Sequence, residues 1–109
     1  MKICIDPGHS GPFEPGACAG GFNEADINWY IAKFAMAELK YRGHQSLLTR
    51  GKKIDNDELA FRAECANEWR ADLFISIHCN SADRIEADGT ETYYYPGSRW
   101  GEQLARCIQ

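Results

Sequence analysis

The chain has 109 residues and a mass of 12.3 kDa, which predicts a single domain able to bury a hydrophobic core without disulfide or metal support. Its 44% hydrophobic and 26% charged residues are typical of a globular protein, and no apolar stretch approaches the roughly 18 residues of a membrane span. The net charge of −4, from 12 basic and 16 acidic residues, disfavours nucleic acid and membrane surfaces as partners.

The chain begins with a predicted strand and a long loop. Residues 2–5 form a short apolar run that ends at the Asp-Pro-Gly turn of residues 6–8, a pattern that predicts a buried strand. Residues 9–22 are rich in glycine and proline and predict an irregular loop. Long loops in compact domains are usually functional, so this segment is a candidate site region.

A helix is predicted after the loop. Asn23 is a favourable N-cap residue. The apolar residues that recur at helical spacing predict an amphipathic helix with one buried face, formed by Ile27, Ile31, Phe34, Ala35 and Leu39. Gly43 is the expected C-terminal stop.

The rest of the chain continues the alternation of strands and helices. A strand is predicted over residues 46–49, a helix opened by residues 56–58, and a fully buried strand over residues 72–77. A β-branched and aromatic strand over residues 89–95 and a last helix over residues 98–109 follow. The order β-α-β-α-β-β-α predicts an α/β fold, a layered sandwich with a mostly parallel central sheet flanked by helices.

The cysteines do not suggest a disulfide framework. There are five, an odd number, and no Cys-x-x-Cys pair occurs, which argues against a disulfide scaffold and against a four-thiolate zinc site. We therefore expect unpaired thiols and folding in a reducing compartment.

Three residues are expected to converge at one edge of the sheet. His9 and His78 follow the first and third strands, and Glu24 lies in the first turn of the helix that starts at the same edge. Two imidazoles and one carboxylate are the ligand set of a catalytic zinc ion, whose open position holds a water that ionises near pH about 7 and can attack an amide. On spacing alone three other carboxylates remain as rivals: Asp6, Glu14 and Asp26.

A set of ordered motifs carries a family resemblance. The motifs are IDPGHSG (5–11), EPGA (14–17), NEADIN (23–28), LTR (48–50), SIHCN (76–80) and GTETYYY (89–95). Together they closely resemble the catalytic domain of the zinc-dependent N-acetylmuramoyl-L-alanine amidases, the peptidoglycan-cleaving amidase type 3 family, over essentially all 109 residues.

The resemblance implies a cofactor, a substrate and a set of site residues. It implies that His9, Glu24 and His78 hold Zn²⁺ and that the substrate is the amide between the lactyl group of N-acetylmuramic acid and L-alanine of the stem peptide. Asn80, which follows the second histidine, is expected to shape the floor of the substrate site. Peptidoglycan is accordingly the expected partner.

One departure from the family concerns the general base. The family's base is a glutamate on a late strand, which we expect beyond Gln109, and Glu91 matches a different family position. General acid–base catalysis is worth about 10² to 10⁴-fold. We therefore expect residues 1–109 to be a single amidase-like catalytic domain without its C-terminal part, which alone could be inactive.

Other functions stay open at this point. The chain could be a non-catalytic fragment that binds peptidoglycan or a regulator, or another zinc peptidase acting on stem peptides. A hydrolase with Cys79 as nucleophile is disfavoured, because Cys79 should face away from the neighbouring His78. The start at Met1 without an export signal resembles phage endolysins. The site of action at the cell wall stays open between release by a phage, secretion and the periplasm. A wall-binding module in the full-length protein also stays open.

Overall fold

A computed structural model describes residues 1–52, 58–81, 86 and 88–109. In chain order its elements are β1 (Lys2–Pro7), β2 (Cys18–Ala19), β3 (Phe22–Asn23), α1 (Glu24–Tyr41), β4 (Gln45–Leu48), α2 (Leu59–Glu68), β5 (Leu73–Ile77) and α3 (Arg99–Ile108). Strands β4, β1 and β5 form a parallel sheet in that order, with β1 in the middle. The predicted α/β fold with a parallel central sheet flanked by helices is thereby confirmed.

Strand β1 carries the centre of the hydrophobic core. Ile3, Cys4 and Ile5 are each 5% exposed or less, and Ile3 and Ile5 pack with Ala32 of α1. Because β1 pairs on both sides, its backbone donors and acceptors are satisfied along its length, and its carboxyl end is fixed relative to both neighbouring strands.

Helix α1 buries only part of the predicted face. Its buried residues are Glu24, Ala25, Asn28 and Ala32, whereas Phe34 is 76% exposed and Ile31 45% exposed. The predicted face is therefore buried only in part. Ala35 and Leu39 pack against the core, whereas Ile27, Ile31 and Phe34 are exposed, because small side chains let the helix approach β1 closely and leave these larger apolar ones outside. Asn23 does cap the helix, because its Oδ1 accepts a hydrogen bond of 2.8 Å from the Asp26 amide.

The predicted irregular loop contains a small hairpin. Strands β2 and β3 pair antiparallel through a turn in which Gly20 and Gly21 have φ angles of 58° and 82°. Two consecutive positive φ angles are the signature of a tight hairpin turn, which glycine adopts at little cost. The hairpin leads directly into α1 and so helps to fix the first turn of that helix.

Two strand predictions differ from the structure. Strand β5 alternates between half-buried and exposed residues, because among the described strands it pairs only with β1 and lies at the edge of the sheet. Residues 89–95 form no strand. Their β-branched and aromatic side chains favour a strand only where a neighbouring strand offers a ladder, and no described strand does so here.

The remaining helices follow their predicted positions. Helix α2 begins at Leu59, and the predicted N-terminal residues 56–57 lie outside the described residues. Helix α3 begins after Ser98, whose hydroxyl accepts a hydrogen bond of 3.0 Å from the Gly101 amide. Over the part of the chain that the structure describes, no helix combines the length and the apolar character needed to cross a membrane.

Candidate metal centre

The structure brings His9, Glu24 and His78 together. Glu24 Oε1 lies 3.1 Å from His9 Nε2 and 3.0 Å from His78 Nδ1. The candidate ligand atoms of the three residues all lie within 4.8 Å of one another, and the two imidazole centroids are 4.9 Å apart in an edge-to-face arrangement.

The three side chains meet because of where their elements end. Pro7 at the end of β1 pairs with Ile77 at the end of β5, so His9 and His78 emerge from neighbouring strands on the same edge of the sheet. Glu24 is the first residue of α1. His9 itself has a left-handed φ of 64°, which turns the chain sharply and costs energy in a non-glycine residue.

Two glycines leave room for the cluster. A Cβ atom on Gly8 would lie 2.3 Å from Cε1 of His78, and one on Gly16 would lie 2.6 Å from Cδ2 of His9. Gly16 also has a φ of 69°. Any larger residue at these positions would push a histidine ring out of place.

Glu24 is a buried carboxylate held in its ionised form. Its Oε2 accepts a hydrogen bond of 3.0 Å from the Ala17 amide, and its Oε1 accepts one of 2.8 Å from the Cys79 amide. Burial raises the pKa of Glu24, but these two amides, the Asn28 side chain and His9 outweigh that effect, so the pKa lies below its ordinary value. An anionic oxygen therefore faces both imidazoles.

The three rival carboxylates have other partners. Asp6 forms a buried ion pair of 2.7 Å with Arg62, and Asp26 accepts a hydrogen bond from the N-cap residue Asn23. Glu14 does reach the cluster, but its Oε2 lies 2.5 Å from Nδ1 of His9, the nitrogen that faces away from Glu24. Sequence reasoning weighed Glu14 only as a rival ligand and missed this contact; the short spacing between positions 9 and 14 was the available signal.

Two buried arginines hold the backbone that leads to His9. Arg50 donates to the carbonyl oxygens of Pro7 and Gly8 at 2.6 and 2.9 Å. Arg62 donates to the carbonyl oxygens of Pro7 and His9 at 3.0 and 2.9 Å. Three consecutive carbonyls are thus fixed by two guanidinium groups, a function that the sequence did not reveal.

The residues after His78 form the exposed rim of the site. Asn80 Nδ2 donates a hydrogen bond of 2.9 Å to Glu91 Oε2, and the Tyr93 hydroxyl donates one of 2.5 Å to the same oxygen. The Cys79 thiol donates to Asn28 Oδ1 at 3.4 Å. Burial and the Glu24 charge raise the pKa of Cys79, so its thiol is protonated, which disfavours it as a nucleophile.

The donor set fits a zinc ion. Ligand atoms about 2.1 Å from one tetrahedral Zn²⁺ lie about 3.4 Å apart, close to the 3.0 and 3.1 Å that separate Glu24 Oε1 from the two imidazole nitrogens. Two neutral nitrogens and one carboxylate oxygen also match the ligand preference of this ion. The residue types and these two distances therefore fit a zinc ion.

The fold and the cluster define an α/β domain with a candidate His–Glu–His metal centre at the carboxyl ends of parallel strands. Residues 3–109 match the model of the N-acetylmuramoyl-L-alanine amidase family. The chain therefore belongs to this family.

Relatives and solved structures agree with this assignment. The chain is 40% identical over 98 residues to the sporulation-specific N-acetylmuramoyl-L-alanine amidase of Bacillus subtilis, covering 88% of this chain and 36% of that protein. It is 38% identical over 94 residues to the endolysin of Bacillus phage SPP1, covering 85% and 33%. The chain thus spans about a third of the length of these curated relatives.

The fold is similar to that of solved amidases. It aligns with the N-acetylmuramoyl-L-alanine amidase AmiC2 of Nostoc punctiforme with a TM-score of 0.87 and 39% identity, over 99% of this chain and 58% of that one. It aligns with the CwlD amidase from Clostridioides difficile, solved in complex with the GerS lipoprotein, with a TM-score of 0.90 and 27% identity, over 99% and 62%.

Proposed function

We propose that this chain is the zinc-binding part of a peptidoglycan hydrolase that cleaves the amide between N-acetylmuramic acid and L-alanine of the stem peptide. The observation that carries the proposal is the convergence of His9, Glu24 and His78 in a chain of the N-acetylmuramoyl-L-alanine amidase family. Bound zinc would lower the pKa of a coordinated water to about 7 and polarise the carbonyl under attack.

The chain's own residues have separate tasks under this proposal. Glu24, held by two backbone amides, would offset part of the charge of the cation. The His9 and His78 rings direct one nitrogen each to the same point. Asn80, in the exposed segment after His78, contributes to the floor of the substrate site.

Metal analysis tests the ligand set directly. The purified chain should contain close to one zinc per molecule, and His9→Ala and His78→Ala should each lose it while keeping the circular dichroism spectrum of the wild type. The chain's third histidine provides a matched control, because His44→Ala removes an imidazole outside the cluster and should leave the zinc content unchanged. Full zinc retention in His9→Ala or in His78→Ala would remove that residue from the site.

Product analysis tests the reaction. Incubation with purified peptidoglycan should release intact stem peptides with a new amino-terminal alanine and leave the glycan strands uncut. The His78→Ala variant should release no stem peptides. Release of free amino acids would instead indicate a peptidase acting on stem peptides. A third outcome is that the protein sediments with peptidoglycan but exposes no new amino groups, even after a C-terminal segment carrying the late glutamate is added. That outcome would indicate a binding fragment and would overturn the hydrolase proposal.

A further inference from the structure

The two candidate histidine ligands differ in what contacts their second ring nitrogen. His9 directs Nε2 to Glu24, and its Nδ1 lies 2.5 Å from Glu14 Oε2. His78 directs Nδ1 to Glu24, and within the described part of the chain its Nε2 has no hydrogen-bond partner. The His9 side chain is 20% exposed and that of His78 50% exposed, so only the inner ring is held from both sides.

The loop that carries Glu14 folds back on itself, so that the Glu14 side chain lies beside His9. The Glu14 carbonyl oxygen accepts hydrogen bonds of 3.1 and 3.3 Å from the amides of Ser10 and Gly11, which closes the chain between positions 10 and 14 into a turn. These contacts use the Glu14 backbone, while its side chain, 45% exposed, contacts His9. Removal of the carboxylate would therefore leave the turn itself intact.

A carboxylate at this position controls the imidazole. A neutral imidazole carries its proton on one nitrogen only, and a metal binds the other one. A carboxylate beside Nδ1 keeps the proton there and leaves the lone pair on Nε2, the atom that faces Glu24. The carboxylate also makes the Nε2 lone pair a stronger metal ligand. Removal of a carboxylate partner from a metal-ligating histidine typically lowers metal affinity by 10 to 100-fold.

We propose that Glu14 is a positioning residue, which sets the tautomer and ring orientation of His9 so that Nε2 is presented to zinc. The inference rests on the proposed function, because it concerns the same centre. Glu14 acts through His9 and does not ligate the metal itself, because its carboxylate lies on the outer side of the His9 ring.

Zinc affinity provides the test, measured by competition with a chromophoric chelator. Glu14→Gln and Glu14→Ala should bind zinc about 10 to 100-fold more weakly than the wild type. Glu38→Gln is the matched control: it removes the same charge, but Glu38 is 57% exposed, pairs with Arg42 and lies about 21 Å along α1 from Glu24. Its zinc affinity should equal that of the wild type.

Two further readouts separate positioning from a structural role. The thermal unfolding midpoint of the zinc-free protein should be the same in Glu14→Gln and in the wild type, because the turn is held by backbone contacts. The visible absorption bands of the Co²⁺-loaded protein should shift in Glu14→Gln, because the ligand strength of His9 changes. A spectrum identical to that of the wild type would overturn the inference.

The affinities also distinguish this inference from the proposed function. A wild type that binds no zinc would refute the proposed metal centre itself. A wild type that binds zinc, together with a Glu14→Gln variant of equal affinity, would refute only the role of Glu14. An equal loss in Glu14→Gln and Glu38→Gln would assign the effect to net charge and would also refute that role.

Discussion

Gly16 lies so close to the Glu24 carboxylate that a Cβ atom on Gly16 would be 2.7 Å from Oε2, and 2.6 Å from Cδ2 of His9. Gly16→Ala should therefore displace at least one candidate ligand. We expect a loss of zinc affinity of tenfold or more together with a lower unfolding temperature, measured by chelator competition and by calorimetry.

Gly20→Ala is the matched control for this substitution. Gly20 also has a positive φ, 58°, but a Cβ atom there would meet nothing within 4 Å. Both variants pay the cost of a left-handed alanine, about 1–2 kcal/mol, and only Gly16→Ala adds the collision. Equal zinc affinities in the two variants would show that the contact at Gly16 does not matter.

The buried Asp6 carboxylate should make the stability of the fold depend on pH. Burial raises the pKa of Asp6, but hydrogen bonds from Thr49, Ser76 and Arg62 and the charge of Arg62 outweigh this, so the pKa lies below its ordinary value of 3.8. A lowered folded-state pKa means that the unfolded chain binds the proton more readily. The stabilisation by Asp6 is therefore complete above about pH 5 and is lost as the pH falls through the folded-state value.

Asp6→Asn tests this linkage in the zinc-free protein. At pH 7 the variant should be less stable by roughly 3–5 kcal/mol, because it leaves the Arg62 guanidinium buried without its counter-charge. In urea unfolding the difference from the wild type should become smaller as the pH falls below 4. A difference that is constant from pH 7 to pH 2 would show that Asp6 is not responsible.

Arg50→Lys should weaken both the fold and the site. The Arg50 guanidinium donates to carbonyl oxygens of Pro7, Gly8, Ala25, Gly51 and Lys52. A lysine has three donors on one atom, so at least two of these acceptors lose their partner, at about 1–3 kcal/mol for each one that stays buried. We expect a stability loss of about 2–5 kcal/mol in urea unfolding and weaker zinc binding, because His9 follows two of these carbonyls.

Arg42→Lys provides the comparison for Arg50→Lys. Arg42 is 68% exposed and pairs with Glu38 one helical turn away, a surface pair of small energetic value. Its replacement should change the stability by less than about 0.5 kcal/mol. If Arg50→Lys has an effect equally small, the hydrogen bonds to the backbone before His9 contribute little to stability.

Four of the five cysteines should react with a thiol reagent in two groups. Cys18 and Cys107 are exposed and should be labelled first at pH 8. Burial, with the Asp6 charge and Cys65, raises the pKa of Cys4 to about 11, and the pKa of Cys79 is also raised, so these two should be protected in the native state. Mass spectrometry of partially labelled protein gives the order, and early labelling of Cys79 would revive it as a candidate nucleophile.

The meeting of the candidate ligands could be predicted because each is marked by a local signal. The end of an apolar run precedes His9 and His78, and an N-cap residue precedes Glu24. The rule that the carboxyl ends of parallel strands share an edge then joins the three. The contact of Glu14 with His9 depends on the exact path of a turn, which no residue pattern specifies.

The buried residues in the first turns of α1 could not be predicted from hydrophobicity. Asn28 is fully buried, because it donates to the Gly8 carbonyl oxygen and to Glu24 Oε1. Phe34, much more apolar, is 76% exposed. Hydrophobic patterning ranks side chains by their free energy of transfer from water. It contains no information on the narrow space beside β1 or on the hydrogen-bond acceptors that line that space.

The candidate ligands are far apart in the chain, with 15 positions from His9 to Glu24 and 54 from Glu24 to His78. In the unfolded protein the three seldom meet, since closing such loops costs chain entropy. A cation bound by all three would link β1, α1 and β5. It would bind the native state much more tightly than the unfolded state. Removal of that cation by a chelator would then lower the unfolding temperature of the protein.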